Sequence, residues 1–127
     1  MPRKISIKGL RKKARRIFAR WICKRDKFKC VACGKQGVSG EMQAGHFVHR
    51  DCLDFDERNN SAECIRCNCY LSGNLAPYSF YLIKKYGPGI IEELNVLGNV
   101  IRKFGREELE EIVKRYSVNE SESRNEP

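Results

Sequence analysis

Two Cys-x-x-Cys pairs constrain this chain more than any other feature. Cys30-Val31-Ala32-Cys33 and Cys64-Ile65-Arg66-Cys67 are separated by thirty residues, and within each pair both sulfurs can reach one ion. Four thiolates suit Zn2+ in a closed tetrahedral shell, and Gly34 after the first pair fits a knuckle-like turn. Such a staple matters for 127 residues, because a domain of this size buries only about two-thirds of the surface its unfolded chain exposes. A closed shell leaves no position for substrate, so this zinc is structural and any chemistry must come from other residues. Cys23, Cys52 and Cys69 remain, and they read as small buried or surface thiols.

Reduced, metal-bound cysteines point to the cytoplasm, since disulfides belong to oxidising compartments. The basic N-terminus lacks the apolar stretch of a signal peptide, and no apolar run approaches the ~18 residues of a membrane span. The charge is local. Residues 1–29 carry thirteen Lys and Arg against Asp26 alone, whereas the whole chain is only +9. A cationic block of this kind fits nucleic acid, where each neutralised phosphate releases counterions. Leu10, Ala14, Ile17, Phe18, Trp21 and Ile22 recur at helical spacing inside it, with Arg11, Lys12, Arg15, Arg16 and Arg20 mostly on the other faces. Residues 1–28 therefore read as a basic amphipathic helical arm whose apolar stripe packs on the body.

The fold class expected is α+β. Residues 29–75 have short apolar runs broken by glycines, which suits turns and short strands, with a short helix around Cys67–Leu71 ended by Gly73-Asn74, both tolerant of left-handed angles. Residues 76–116 read as the helical C-terminal part of the same domain, with helices over Pro77–Tyr86, around Ile90–Leu97 and around Leu109–Tyr116; Tyr81, Leu82 and Tyr86 are assigned to its core. Residues 117–127 are polar and read as a disordered tail.

Both histidines lie between the cysteine pairs, in Gly45-His46-Phe47-Val48-His49. Three positions apart on a strand they point to opposite faces, so only one is expected to face a site. Here the order of motifs resembles the zinc-containing His-Asn-His nucleases of the ββα-metal superfamily: Cys-x-x-Cys, a Gly-His dipeptide, a loop ending in Asn, then Cys-x-x-Cys-Asn opening a helix. His46 takes the first place, Asn59 the middle one and Asn68 the last. The Asn directly after the second pair is also similar to phage endonuclease VII. A closer resemblance is to the phage NinG/Rap recombination proteins. It is carried by Ala44-Gly45-His46-Phe47, Phe55-Asp56-Glu57-Arg58-Asn59, Cys64-x-x-Cys67-Asn68 and Ser72-Gly73-Asn74-Leu75-x-Pro77-Tyr78. What it implies is a zinc-stapled HNH core and a nuclease cutting branched recombination intermediates, Holliday junctions and D-loops, encoded by a phage or prophage and acting in the bacterial cytoplasm.

Phosphodiester hydrolysis needs a base for water, and neutral His46 suits it. The crowded phosphate and leaving oxygen need a hard cation, Mg2+ or Mn2+, for which Asn68 offers an amide oxygen. Asn59 is expected to bond loop backbone and so position His46. Many relatives in the superfamily carry an Asp metal ligand before the His, where this chain has Gly45. Asp51, Asp54, Asp56, Glu57 or His49 are the candidate replacements, with Asp56 and Glu57 first because they adjoin Asn59; the alternative is that phosphate oxygens complete the shell. The rival function is a non-catalytic zinc-stabilised DNA-binding module, and a four-way junction with two symmetric strands makes a homodimer attractive.

Overall fold

In the computed structural model the chain is described over residues 4–38 and 40–124. The side chain of Ser6 starts the first helix, α1 (Ile7–Arg25), by accepting from Gly9 N at 3.0 Å. This satisfies one of the amide donors that a helix N-terminus leaves unpaired. Leu10, Ala14, Ile17, Phe18 and Ile22 are buried along one stripe, as their spacing predicts. The stripe packs on the body of the protein, as its spacing leads one to expect. The helix packs against a C-terminal helix, α4 (Arg106–Arg124), and against the sheet, so the most basic element of the chain is also its central support. Phe18 sits at the middle of that contact, edge-on to Phe55 at 5.6 Å and to Tyr116 at 4.8 Å between ring centroids. Such pairs add about 0.5–1.5 kcal/mol beyond the area they bury.

The sheet has two antiparallel strands, β1 (Met42–His46) and β2 (Asn60–Cys64), paired from Met42 opposite Cys64 to His46 opposite Asn60. Every residue of β2 is buried. Residues 47–59 join the strands through a short 3-10 turn, Asp51–Leu53. After β2 the chain enters one π-helical turn, Arg66–Tyr70, closed by Leu71 N donating to Arg66 O at 2.9 Å. The expected helix at Cys67 is thus present in a wider winding, a form that often marks functional positions. Ser72, Gly73 and Asn74 then take positive φ of 51°, 96° and 46°, which ends the turn as Gly73-Asn74 predicts.

Two further helices follow, α2 (Leu75–Tyr86) and α3 (Ile90–Leu97). Pro77 is tolerated in the first turn of α2, where its missing N–H has no helical acceptor to lose. Tyr78, Leu82, Ile90 and Leu94 form the core between them, with Phe47 and Val48 packed alongside. Leu82 is buried as assigned, but Tyr86 is 36% exposed and lies under the Lys85 ammonium, 5.3 Å from its ring centroid. The residue that takes the buried place is Tyr78, at 0% exposure. Helix α4 continues to Arg124, past the boundary at Ser117 from which the sequence suggests an unstructured tail; residues 125–127 of that tail lie outside the described residues. Adding turns to a formed helix costs far less than starting one. Among the described residues no helix is long and apolar enough to cross a membrane.

Candidate functional site

The four cysteines of the two pairs converge, with all four Sγ atoms within 4.8 Å of one another. A tetrahedral ion with Zn–S bonds of about 2.3 Å requires sulfurs about 3.8 Å apart, and Cys33 and Cys64 Sγ stand at 3.7 Å. The donor set therefore fits a structural metal such as zinc. Backbone geometry explains the fit. Cys30 N donates to Lys35 O at 2.9 Å, Gly34 N to Cys30 O at 2.8 Å and Cys33 N to Cys30 Sγ at 3.5 Å, with Gly34 at a φ of 81° that glycine adopts freely. The second pair is shaped by the π-helical turn, and Asn74 Nδ2 donates to Cys67 Sγ at 3.5 Å. Asp26, the C-cap of α1, accepts from Ala62 N at 2.8 Å and Val31 N donates to Ala62 O at 2.9 Å, so helix, first knuckle and β2 are tied at one residue.

The remaining thiols are not among these four ligands, although Cys23 is buried in the same packed cluster. Burial, then the charge of Asp26, pushes the Cys23 thiol up to about 11. Cys52 faces Leu97 O, and Cys69 is exposed beside Gln43.

His46 ends β1, and the chain around it is held from both sides. Tyr78 OH donates to Gly45 O at 2.7 Å, Phe47 N donates to Asn59 O at 3.0 Å, and Asn59 bonds Val48 twice, accepting from its N–H at 2.8 Å and donating to its carbonyl at 2.9 Å. Asn59 and Tyr78 are both 0% exposed, so these bonds are protected from water. The His46 Nε2 lies 3.6 Å from Asp54 Oδ1; Arg11 binds the same carboxylate at 2.7 Å and Arg15 approaches it at 3.6 Å. Burial, chiefly, holds the imidazole pKa below its usual value, Arg15 and His49 push the same way, and Asp54 opposes them. The two histidines do not face opposite ways. β1 stops at His46, the alternation stops with it, and the rings come to 6.2 Å between centroids.

On the other face of the hairpin Gly45 neighbours Asn68 and Glu63. Asn68, in the π-helical turn, donates through Nδ2 to Gln43 Oε1 at 2.8 Å, which turns its Oδ1 toward Gly45. Glu63 is fully buried, and burial first, then the charge of Cys30, pushes its carboxyl up to about 8. Asp56 and Glu57 are engaged elsewhere. Asp56 Oδ1 accepts from Arg58 N at 2.8 Å and Asn59 N at 3.3 Å, closing a turn, while Glu57 Oε2 accepts from Tyr116 OH at 2.8 Å and lies 3.6 Å from Arg115, tying the loop to α4. Sequence reasoning missed Glu63 and Tyr78. Their one signal was a charge in an otherwise apolar Ala-Glu-Cys run and an aromatic one residue after Pro77.

Over residues 3–126 the chain matches the family model described as Bacteriophage Lambda NinG protein. Among curated proteins it is similar to Protein ninG of Salmonella phage P22, at 36% identity over 87 residues, covering 65% of this chain and 42% of that one. Protein ninG of Escherichia phage 933W aligns at 36% identity with 65% and 43% covered, and that of Escherichia phage lambda at 34% with 65% and 42%. The aligned region thus spans less than half the length of these curated relatives. No solved structure matches.

Proposed function

The chain belongs to the NinG family of bacteriophage proteins, and from that premise we propose that it is a metal-dependent DNA endonuclease with a ββα-metal core, acting on branched DNA such as Holliday junctions and D-loops. The observation that carries this reading is how His46 is held. Gly45 O, Phe47 N and both backbone groups of Val48 are bonded to Tyr78 or Asn59, so the backbone on either side of one imidazole is restrained. In a binding module these bonds would only satisfy buried backbone; for a general base they also fix the imidazole, and proton transfer requires placement within hydrogen-bond reach.

In this reading Asp54 is a positioning residue. Its carboxylate beside Nε2 favours the neutral tautomer with the proton on that nitrogen and leaves Nδ1 to take a proton from attacking water. Arg11, at 2.7 Å, and Arg15, at 3.6 Å, hold Asp54 in place. Asn68, on the hairpin face opposite His46, offers an amide oxygen to Mg2+ or Mn2+, which when bound would offset charge on the phosphate and the leaving oxygen, so one phosphate must reach both at the end of β1. The direct test is cleavage of a labelled four-way junction against a matched linear duplex, with and without Mg2+ or Mn2+. Metal-dependent cutting that favours the junction is expected. Tight binding without cutting in any divalent ion would replace the enzyme with a binding module.

The contact with DNA is assigned to the exposed side of α1. Because Arg11 is bonded to Asp54, Arg15 lies 3.6 Å from the same carboxylate, and Arg25 donates to Glu57 O and Asn60 O, the phosphate contacts are assigned to Lys12, Lys13 and Arg16, all exposed. Replacing these three with Ala is expected to weaken junction and linear DNA alike, since phosphate contacts carry no sequence. The plot of log affinity against log salt should flatten by about 0.9 for each phosphate left without its cation. An unchanged slope would move the DNA to another face.

A further inference from the structure

Among the described residues one carboxylate is buried without a hydrogen-bond partner. Glu63 is 0% exposed on β2, and neither of its oxygens has a hydrogen-bond partner among the described residues. Buried carboxylates are ordinarily paired, protonated or bound to metal, because the unpaired ion loses its hydration without return. The place it points to is informative. Gly45 has no positive φ, so its backbone would accept a side chain. What excludes one is Glu63. A Cβ at position 45 would overlap Glu63 Oε1 and stand 3.0 Å from Asn68 Oδ1.

Two oxygens from different elements therefore converge on the volume that a side chain at 45 would fill. Register explains it: Gly45 pairs with Ser61, and Glu63, two residues along, projects from the same face of the hairpin. The Asn68 amide is oriented by its bond to Gln43, so the atom it presents there is the oxygen and not the nitrogen. A carboxylate and an amide oxygen facing a shared point repel one another unless a cation or a proton lies between them. Asn68 is half-buried, which leaves that point a route to solvent.

We propose that Glu63 and Asn68 form the protein side of a divalent-cation site, with Glu63 supplying from β2 the carboxylate that Gly45 does not carry. Octahedral Mg2+ or Mn2+ is commonly held by one or two protein oxygens and completed by water and phosphate, so two ligands suffice. The site deepens the nuclease reading and rests on it for its purpose, but its ligands can be tested without DNA.

Zinc-loaded protein comprising residues 1–127 is titrated with Mn2+ alone, free ion being followed by electron paramagnetic resonance. Wild type is expected to bind one Mn2+, and Glu63→Gln, which keeps the shape and removes the charge, should bind it on the order of 100-fold more weakly, the upper end of what even an outer-shell partner costs. Glu63→Ala should lose it equally. The double variant Gly45→Asp with Glu63→Ala returns a carboxylate to the same volume from the other strand and should recover binding; zinc content and cooperative melting check that each variant is folded. Wild-type affinity in Glu63→Gln, no Mn2+ site in wild type, or a folded double variant no better than Glu63→Ala overturns the proposal. If Mn2+ binding follows Glu63 as expected while wild type cuts no DNA, the site stands and the nuclease reading fails; if wild type cuts and Glu63→Gln is indifferent, the reverse holds.

Discussion

Removal of zinc is expected to unfold the middle of this protein, and Cys64→Ser to do the same. The two cysteine pairs lie at the two ends of the segment that contains the sheet, and Cys30, Cys64 and Cys67 are themselves part of a buried cluster with Met42 and Ala62. Structural zinc contributes about 10–16 kcal/mol of apparent binding energy in small peptides, against a total stability of about 5–15 kcal/mol for a typical domain. The metal term is thus large enough to decide whether the fold exists. One zinc per chain by elemental analysis is the expected composition, and a strong chelator should abolish the cooperative thermal transition. Because β2 carries both Glu63 and Asn60 and pairs with His46, loss of zinc should remove DNA cleavage and Mn2+ binding together. Folded protein that contains no zinc would refute the assignment.

What could be read from the sequence was whatever is encoded at short range. The Cys-x-x-Cys spacings, the apolar stripe of α1 and the left-handed pair Gly73-Asn74 each depend on residues within a few positions of one another, and each is found where expected. The hairpin register is different. Thirteen residues, 47–59, join the strands, and nothing in them states which residue of β2 stands opposite His46. Without that register Glu63 cannot be set beside Gly45, and the sequence alone points to the loop acids. Loop acids were the natural choice by proximity to Asn59, yet Asp56 is consumed by its own turn and Glu57 by Tyr116, fifty-nine residues further along the chain. Asp54 stood in the sequence as one of several acids; it is distinguished only by Arg11 and Arg15 reaching it from α1. The same long-range packing makes Arg11 a support for a carboxylate and brings Arg15, still exposed, beside it.

The imidazole of His46 is where catalysis and binding can be separated. His46→Ala is expected to bind branched DNA as wild type does and to cut it about 100- to 10,000-fold more slowly, the usual cost of losing a general base. A side chain that is 24% exposed and lies beside the Asp54 carboxylate contributes little to phosphate affinity. The pH dependence has a definite sign. Burial, Arg15 and His49 hold the His46 pKa below its ordinary value and Asp54 only partly offsets them, so the neutral, proton-accepting form already dominates at neutral pH. The cleavage rate should climb as pH rises through a midpoint below about 6.5 and be level above it. Asp54→Asn removes the one influence that raises this pKa, so its rising limb should move to lower pH while its plateau falls through loss of the tautomer preference. A variant that only damaged the fold would lower the plateau and leave the limb where it was. Asn68→Ala should differ from both: if its oxygen holds the divalent ion, raising Mn2+ narrows its defect, whereas the His46→Ala defect persists at saturating metal. Equal rescue of the two by Mn2+, or a wild-type rate in His46→Ala, would remove His46 from the role of base.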